Sequence, residues 1–207
     1  MASTPSSRLA AVHEPNSLAG PSKVDKVCNK VLEKFINIHY PPESKESRIV
    51  REKSLIKVEK IIKNLVKKCT LNTGASEEMA EEAGGNIFIS GSYRLGVHTE
   101  GTDIDIICVF PEQVTPEDFF GFFMEELKER PDVSHVVGIP EAVVPMLEVI
   151  MDGIDIDLLF ASLPRSKVNI KEVDVLSDDI LRGVSDATAK CLGGPRVTNM
   201  LHKLVPN

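Results

Sequence analysis

Apolar residues recur at helical spacing along the first third of the chain. Val24, Val27, Cys28, Val31, Leu32 and Phe35 predict a helix from about Lys23 to Ile38, stopped by Tyr40-Pro41-Pro42. Leu55, Val58, Ile62, Leu65 and Cys69 form a second stripe, with Lys57, Lys60, Lys63 and Lys67 off it, and predict a longer helix from about Ser44 to Cys69. The polar stretch Asn72 to Gly85 reads as a loop. The period then shortens to two. Asn86 to Ser90 reads as a strand, Gly91 to Gly96 as a turn into a short helix, and Asp103 to Phe110 as an Ile-rich strand. Pro116 suits the first turn of a helix over Glu117 to Arg130. Two more strands are predicted over Val143 to Met151 and Ile154 to Ala161, joined by the hairpin signal Asp152-Gly153. From Ser177 the pattern supports a short helix and then an irregular run to Asn207. Residues 1–22 are rich in Ser, Pro, Ala and Gly without a period, and read as a mobile tail. The elements sum to an α/β domain: a small mixed sheet backed by helices.

Composition narrows the class. With 42% hydrophobic and 27% charged residues the chain can build a core, which excludes wholesale disorder. No apolar run approaches the roughly 20 residues that span a bilayer, so no membrane partner is predicted. Residues 1–20 lack the apolar centre of a secretion signal. Cys28, Cys69, Cys108 and Cys191 are widely spaced, which excludes a zinc ribbon and a disulfide scaffold. The absence of Trp and the presence of only two Tyr argue against a base-stacking platform. The net charge of −7 argues against a free-standing basic nucleic-acid binder. Lys45 to Lys68 nevertheless holds nine Lys/Arg against three Asp/Glu, and reads as a solvated helix face, with a polyanion contact as the alternative.

Chemistry enters with three features in order. Gly91-Ser92 follows a strand. Asp103-Ile104-Asp105 opens the next strand after a ten-residue spacer, and Asp155-Ile156-Asp157 lies on a later one. Strand alternation puts Asp103 and Asp105 on one face and Ile104 and Ile106 on the other, and it separates Asp155 and Asp157 from Ile156 and Leu158 in the same way. Carboxylates gathered on one sheet face repel, and burying them unpaired costs several kcal/mol. A divalent cation resolves the conflict, and oxygen-only ligands favour Mg²⁺ or Mn²⁺ over zinc. Gly91 lets the backbone approach a phosphate, and Ser92 can donate to it from a helix start. The segment is neither a P-loop nor a dinucleotide fingerprint. His98 reads as a structural hydrogen-bond partner, Asp152 as a turn residue, and Cys108 and the Phe119–Phe123 cluster as packing.

These residues resemble the polymerase-β-like nucleotidyltransferases. Gly91 to Thr99, Asp103 to Asp105, Asp152 to Ala161, Arg196-Val197-Thr198 and Leu204 to Asn207 further resemble the nuclear poly(A) polymerase family, over its N-terminal catalytic domain. The resemblance implies a catalytic domain over 23–207, without the central and RNA-binding domains that follow in the family. It implies that Asp103, Asp105 and Asp157 are catalytic and hold two Mg²⁺ or Mn²⁺ ions. It implies that Ser90, Gly91, Ser92 and Thr99, with the three aspartates, bind ATP, and that AMP passes to an RNA 3′ end in the nucleus, alongside 3′-end processing proteins. Departures from the family stand beside the matches. Ser90 replaces a Phe, Asp155 a Glu, Glu100 and Glu148 two lysines, Val143 a Phe, and Gly193 an Asn near the ribose. A truncated, non-catalytic isoform or paralogue acting through partners and a nucleotidyltransferase with a non-RNA acceptor both remain open at this level. An exposed apolar surface is expected over Val197 to Pro206, where the family's next domain would dock.

Overall fold

The computed structural model describes residues 17–169 and 173–205. Most of the tail reading, together with His13, Pro206 and Asn207, lies outside them. The chain divides into a short unit that ends at Pro41 and a larger one from Pro42 onward. In the first, α1 (Lys23–His39) starts at a capping box: Ser22 Oγ accepts from Asp25 N–H at 3.2 Å, and Asp25 Oδ2 accepts from Ser22 N–H at 2.8 Å. Its apolar stripe, including Val24, Val27, Val31 and Phe35, is exposed.

The larger unit is built on a five-stranded sheet. In chain order the strands are β1 (Asn86–Ile89), β2 (Ile104–Phe110), β3 (Val133–Ile139), β4 (Met146–Met151) and β5 (Ile154–Ser162). Their order across the sheet is β1-β2-β5-β4-β3, with β2 and β5 parallel and every other pair antiparallel. α2 (Lys45–Asn72) covers one face. Its Val58, Ile62, Leu65 and Val66 pack on Ile104, Ile106, Cys108, Leu147, Val149, Ile156 and Leu158. The opposite face of β2 and β5 carries Ile107, Val109 and Ala161, which pack with Cys191 and Leu192 of α7 (Asp186–Leu204). With helices on both sides, β2 is buried along its whole length except at Asp105.

Several cations of α2 are paired with carboxylates of neighbouring elements. Lys57 reaches Asp132 at 3.0 Å and Asp152 at 2.7 Å, Lys68 reaches Glu126 at 2.6 Å, and Lys67 pairs with Glu77 and Glu81. Asp152 takes a positive φ of 52° in the tight turn, followed by Gly153 at 79°.

Five element expectations need correction, the last of them α7. The supposed loop after α2 contains α3 (Glu77–Glu82), capped by Ser76; six residues are too few to display a period. Strand β3 was missed because, as a sheet edge, it exposes Ser134 and His135 and lacks clean alternation. β4 begins at Met146 rather than Val143, because Pro145 precedes it and Val143 is exposed. The helix after Pro116 is broken. α5 (Pro116–Asp118) runs into a π-type turn over Phe119–Phe123, where Gly121 leaves helical geometry at φ −95° and ψ −110°, before α6 (Met124–Lys128). That break turns Phe119 and Phe123 into the core against Phe110 and Phe160, and leaves Phe122 exposed.

The largest correction is α7, which replaces the irregular run. Gly193-Gly194-Pro195 is unfavourable to a helix, since Pro removes a backbone donor. Tertiary packing overrides that penalty. Cys191, Leu192, Pro195 and Thr198 are buried, Thr198 Oγ1 donates to the Gly194 carbonyl at 2.9 Å, and Arg196 Nη1 donates to the carbonyls of Val175 and Ser177, both at 2.8 Å. As expected, its outer surface is apolar and exposed, at Val197, Met200, Leu201 and Leu204 and on to Val205.

Candidate active site

Parallel pairing of β2 with β5 sets Asp105 directly opposite Asp157, and Asp103 lies one step before β2. One oxygen from each of the three carboxylates falls within 4.8 Å of the others. They sit at the N-terminal ends of the two strands, on the face that carries α7. Asp103 is exposed, while Asp105 and Asp157 are half-buried. Burial, then the neighbouring Asp103, holds the Asp105 carboxyl above its ordinary range. Asp157 is pushed up to about 6, first by burial and then by Asp103, Asp105, Glu148 and Asp155. Three mutually repelling oxygen donors that reach one point, with no nitrogen or sulfur among them, are the donor set of a hard divalent cation. The residues present fit such an ion.

The Gly91-Ser92 turn is tied to the same strand. Ser90 N–H donates to the Asp105 carbonyl at 3.0 Å, and α4 (Gly91–Leu95) starts at the next residue and ends at Gly96 in the left-handed region. Gly91 has φ +64°, and a Cβ there would collide with Asp105 Oδ2. The glycine is thus required by the carboxylate. Ser90 is buried, and its Oγ lies where a side chain at Gly194 of α7 would stand. Thr99 is half-buried in a turn closed by Thr102: Thr99 N–H donates to Thr102 Oγ1 at 3.1 Å, and Thr102 N–H donates to the Thr99 carbonyl at 3.2 Å. That turn leads straight into Asp103.

The structure therefore gathers Asp103, Asp105 and Asp157 and places Ser90, Gly91 and Ser92 at the neighbouring helix start, with Thr99 in the adjoining loop. Asp155, one turn of the pleat away, is exposed, and Glu148 is the cross-strand partner of Asp157. His98 makes the expected structural contact, 3.1 Å from Glu43. Two contributions escaped the sequence reading. α7 backs the turn: Arg94 Nε donates to Asn199 Oδ1 at 3.3 Å, and His202 Nε2 lies 2.7 Å from the Arg94 carbonyl. A buried ion pair, Arg51–Glu43 at 2.6 Å, stands behind His98. Its signal was Arg51 at the head of the Leu55–Val58–Ile62 stripe, a charge where an apolar residue was due.

The sequence pattern of the family described as the poly(A) polymerase nucleotidyltransferase domain matches residues 12–205. The chain belongs to that family. It is 39% identical over 197 residues to nuclear poly(A) polymerase 1 of Arabidopsis thaliana, covering 95% of this chain and 28% of the relative. It is 35% identical over 205 residues to the poly(A) polymerase of Dictyostelium discoideum, covering 99% of this chain and 25% of the relative. The chain thus spans about a quarter of the length of these relatives. A crystal structure of the Cid1 poly(U) polymerase is similar at a TM-score of 0.45 and 14% identity, covering 65% of this chain and 38% of that one. The expected fold, a mixed α/β nucleotidyltransferase domain, holds. Among the described residues no helix is long and apolar enough to cross a membrane.

Proposed function

We propose that this chain carries the adenylyl-transfer centre of an RNA 3′-end polymerase, taking AMP from ATP without a template. The observation that carries the reading is the Asp105–Asp157 pairing with Asp103 beside it, next to a helix start opened by Gly91 and Ser92. Two Mg²⁺ or Mn²⁺ ions bound there would lower the charge of the reacting groups and favour the ionised 3′-hydroxyl. Asp103 and Asp105 would hold both. Asp157, whose carboxyl is pushed up to about 6, would face the attacking hydroxyl. The backbone N–H groups at Gly91 and Ser92 and the Ser92 hydroxyl would donate to phosphate oxygens, and Thr99 would close the pocket from the loop before Asp103. Ser90 would hold this helix start against α7. The assignment to the nucleus takes up the names of the Arabidopsis relatives, and a role in mRNA 3′-end processing with protein partners extends that reading. Glu148 and Glu100 put negative charge near the site, which favours weak grip on the RNA by this chain alone.

Primer extension with ATP, an oligo(A) primer and Mg²⁺ or Mn²⁺ tests the reading. AMP addition by the wild type, lost in Asp103→Ala and Asp157→Ala, is the expected result. Addition that survives both substitutions, or no metal-dependent ATP binding at all, would refute it.

A further inference from the structure

Behind α4 lies a buried polar cluster that the chemistry does not use directly. The Glu43 side chain is 6% exposed. It receives the Arg51 guanidinium at 2.6 Å, the Ser47 hydroxyl at 2.8 Å and His98 Nε2 at 3.1 Å. Burial alone would raise the Glu43 carboxyl, but the hydrogen bond to His98, then those to Ser47 and the charge of Arg51, hold it below its ordinary range. Arg51 is 1% exposed, and neither its Nε, for all its closeness to Glu43, nor its Nη1 makes a well-formed hydrogen bond among the described residues. Its guanidinium lies 5.8 Å from the centre of the Tyr93 ring, and that ring lies 4.7 Å from the His98 ring. Buried ion pairs seldom stabilise more than apolar residues of the same shape. This one, with an unsatisfied guanidinium N–H, is a poor device for stability. Its position suggests another use: Tyr93 belongs to the helix that begins at Gly91-Ser92, and His98 immediately precedes Thr99 on the way to Asp103.

We infer that the Arg51–Glu43 pair is a positioning device for the nucleotide. Through His98 and Tyr93 it fixes α4 and the Gly96–Thr102 loop at the distance a triphosphate requires. The inference rests on the nucleotidyltransferase reading above. Small displacements of binding groups cost large factors in affinity and rate.

The test is Mn²⁺-dependent ATP binding, followed by fluorescence with a labelled ATP, beside thermal melts of the same proteins. His98→Ala should weaken binding about tenfold while leaving the melt close to wild type. His98→Gln, which restores a donor toward Glu43, should recover most of that loss. Because a single charge deletion strands its partner, Glu43→Leu is paired with Arg51→Met; this double variant should melt at or above the wild type and still bind ATP about tenfold more weakly. Unchanged binding in a folded double variant, or no recovery in His98→Gln, overturns the inference while Asp103→Ala still abolishes binding. Absence of ATP binding in the wild type would instead overturn the reading beneath it, and the inference with it.

Discussion

Replacing Asp157 with Asn should stabilise the ion-free protein while destroying its site. The ordinary carboxyl value is 3.8, and in the fold Asp157 is pushed up to about 6. Between those values the native state keeps a proton that the unfolded chain has lost, so native stability falls as pH rises from about 4 to about 6. Below 3.8 the group is protonated in both states and contributes nothing. Two decades of proton affinity, at about 1.4 kcal/mol each, set an upper bound of about 3 kcal/mol. The carboxyl is only half-buried, and solvent screening reduces the cost to about 1.5 kcal/mol. For a chain of this size that is about 3–6 °C in melting temperature. The assay is thermal unfolding in EDTA at about pH 7.5 and about pH 4.5. Asp157→Asn should melt above the wild type at the higher pH, and that margin should shrink to about a third at the lower. Added Mn²⁺ should raise the wild type and leave the variant unmoved. A variant that melts at or below the wild type at the higher pH, or a gap that does not narrow on acidification, would refute the electrostatic account of the triad.

Three further outcomes follow from the packing. Gly91→Ala combines a left-handed φ with a collision at Asp105 Oδ2, and should cost about 1–3 kcal/mol and at least tenfold in Mn²⁺ affinity, read by denaturant melts and metal titration. Phe119→Ala empties a fully buried position among Phe110, Phe123 and Phe160 and should cost about 3–5 kcal/mol in urea unfolding. Ser185→Ala removes the cap of α7, whose Oγ accepts from Thr188 N–H at 3.1 Å, and should cost about 1 kcal/mol with little change in ATP binding.

The site was more legible than parts of the fold. Asp103, Asp105 and Asp157 stand out because strand alternation makes a polar pair on an otherwise apolar strand conspicuous, and local pattern suffices to see it. The long helix α2 and the Asp152-Gly153 turn were legible for the same reason: their signals lie within a few residues. What escaped depends on partners remote in sequence. α7 keeps Gly193-Gly194-Pro195 helical only because Arg196 reaches Val175 and Ser177 and Leu192 packs under β2 and β5. β3 has its single partner in β4, and its own residues do not announce it. At Gly91 the sequence suggests room for a phosphate, whereas the group that approaches it inside the chain, Asp105, emerges only from the fold.

The β2–β5 pair has a consequence for how the protein acquires its site. Parallel neighbours cannot be joined by a tight turn. Here the intervening chain is a long crossover that includes the broken helix and the β3–β4 hairpin. Contacts so distant in sequence form slowly. A collapsed chain that has not yet inserted β5 presents Asp103 and Asp105 alone, two ligands where three are needed. Divalent-ion capture during refolding is therefore a clock for a single event, the docking of β5 on β2. It should lag behind the gain of helix signal, whose source is chiefly α2 and α7.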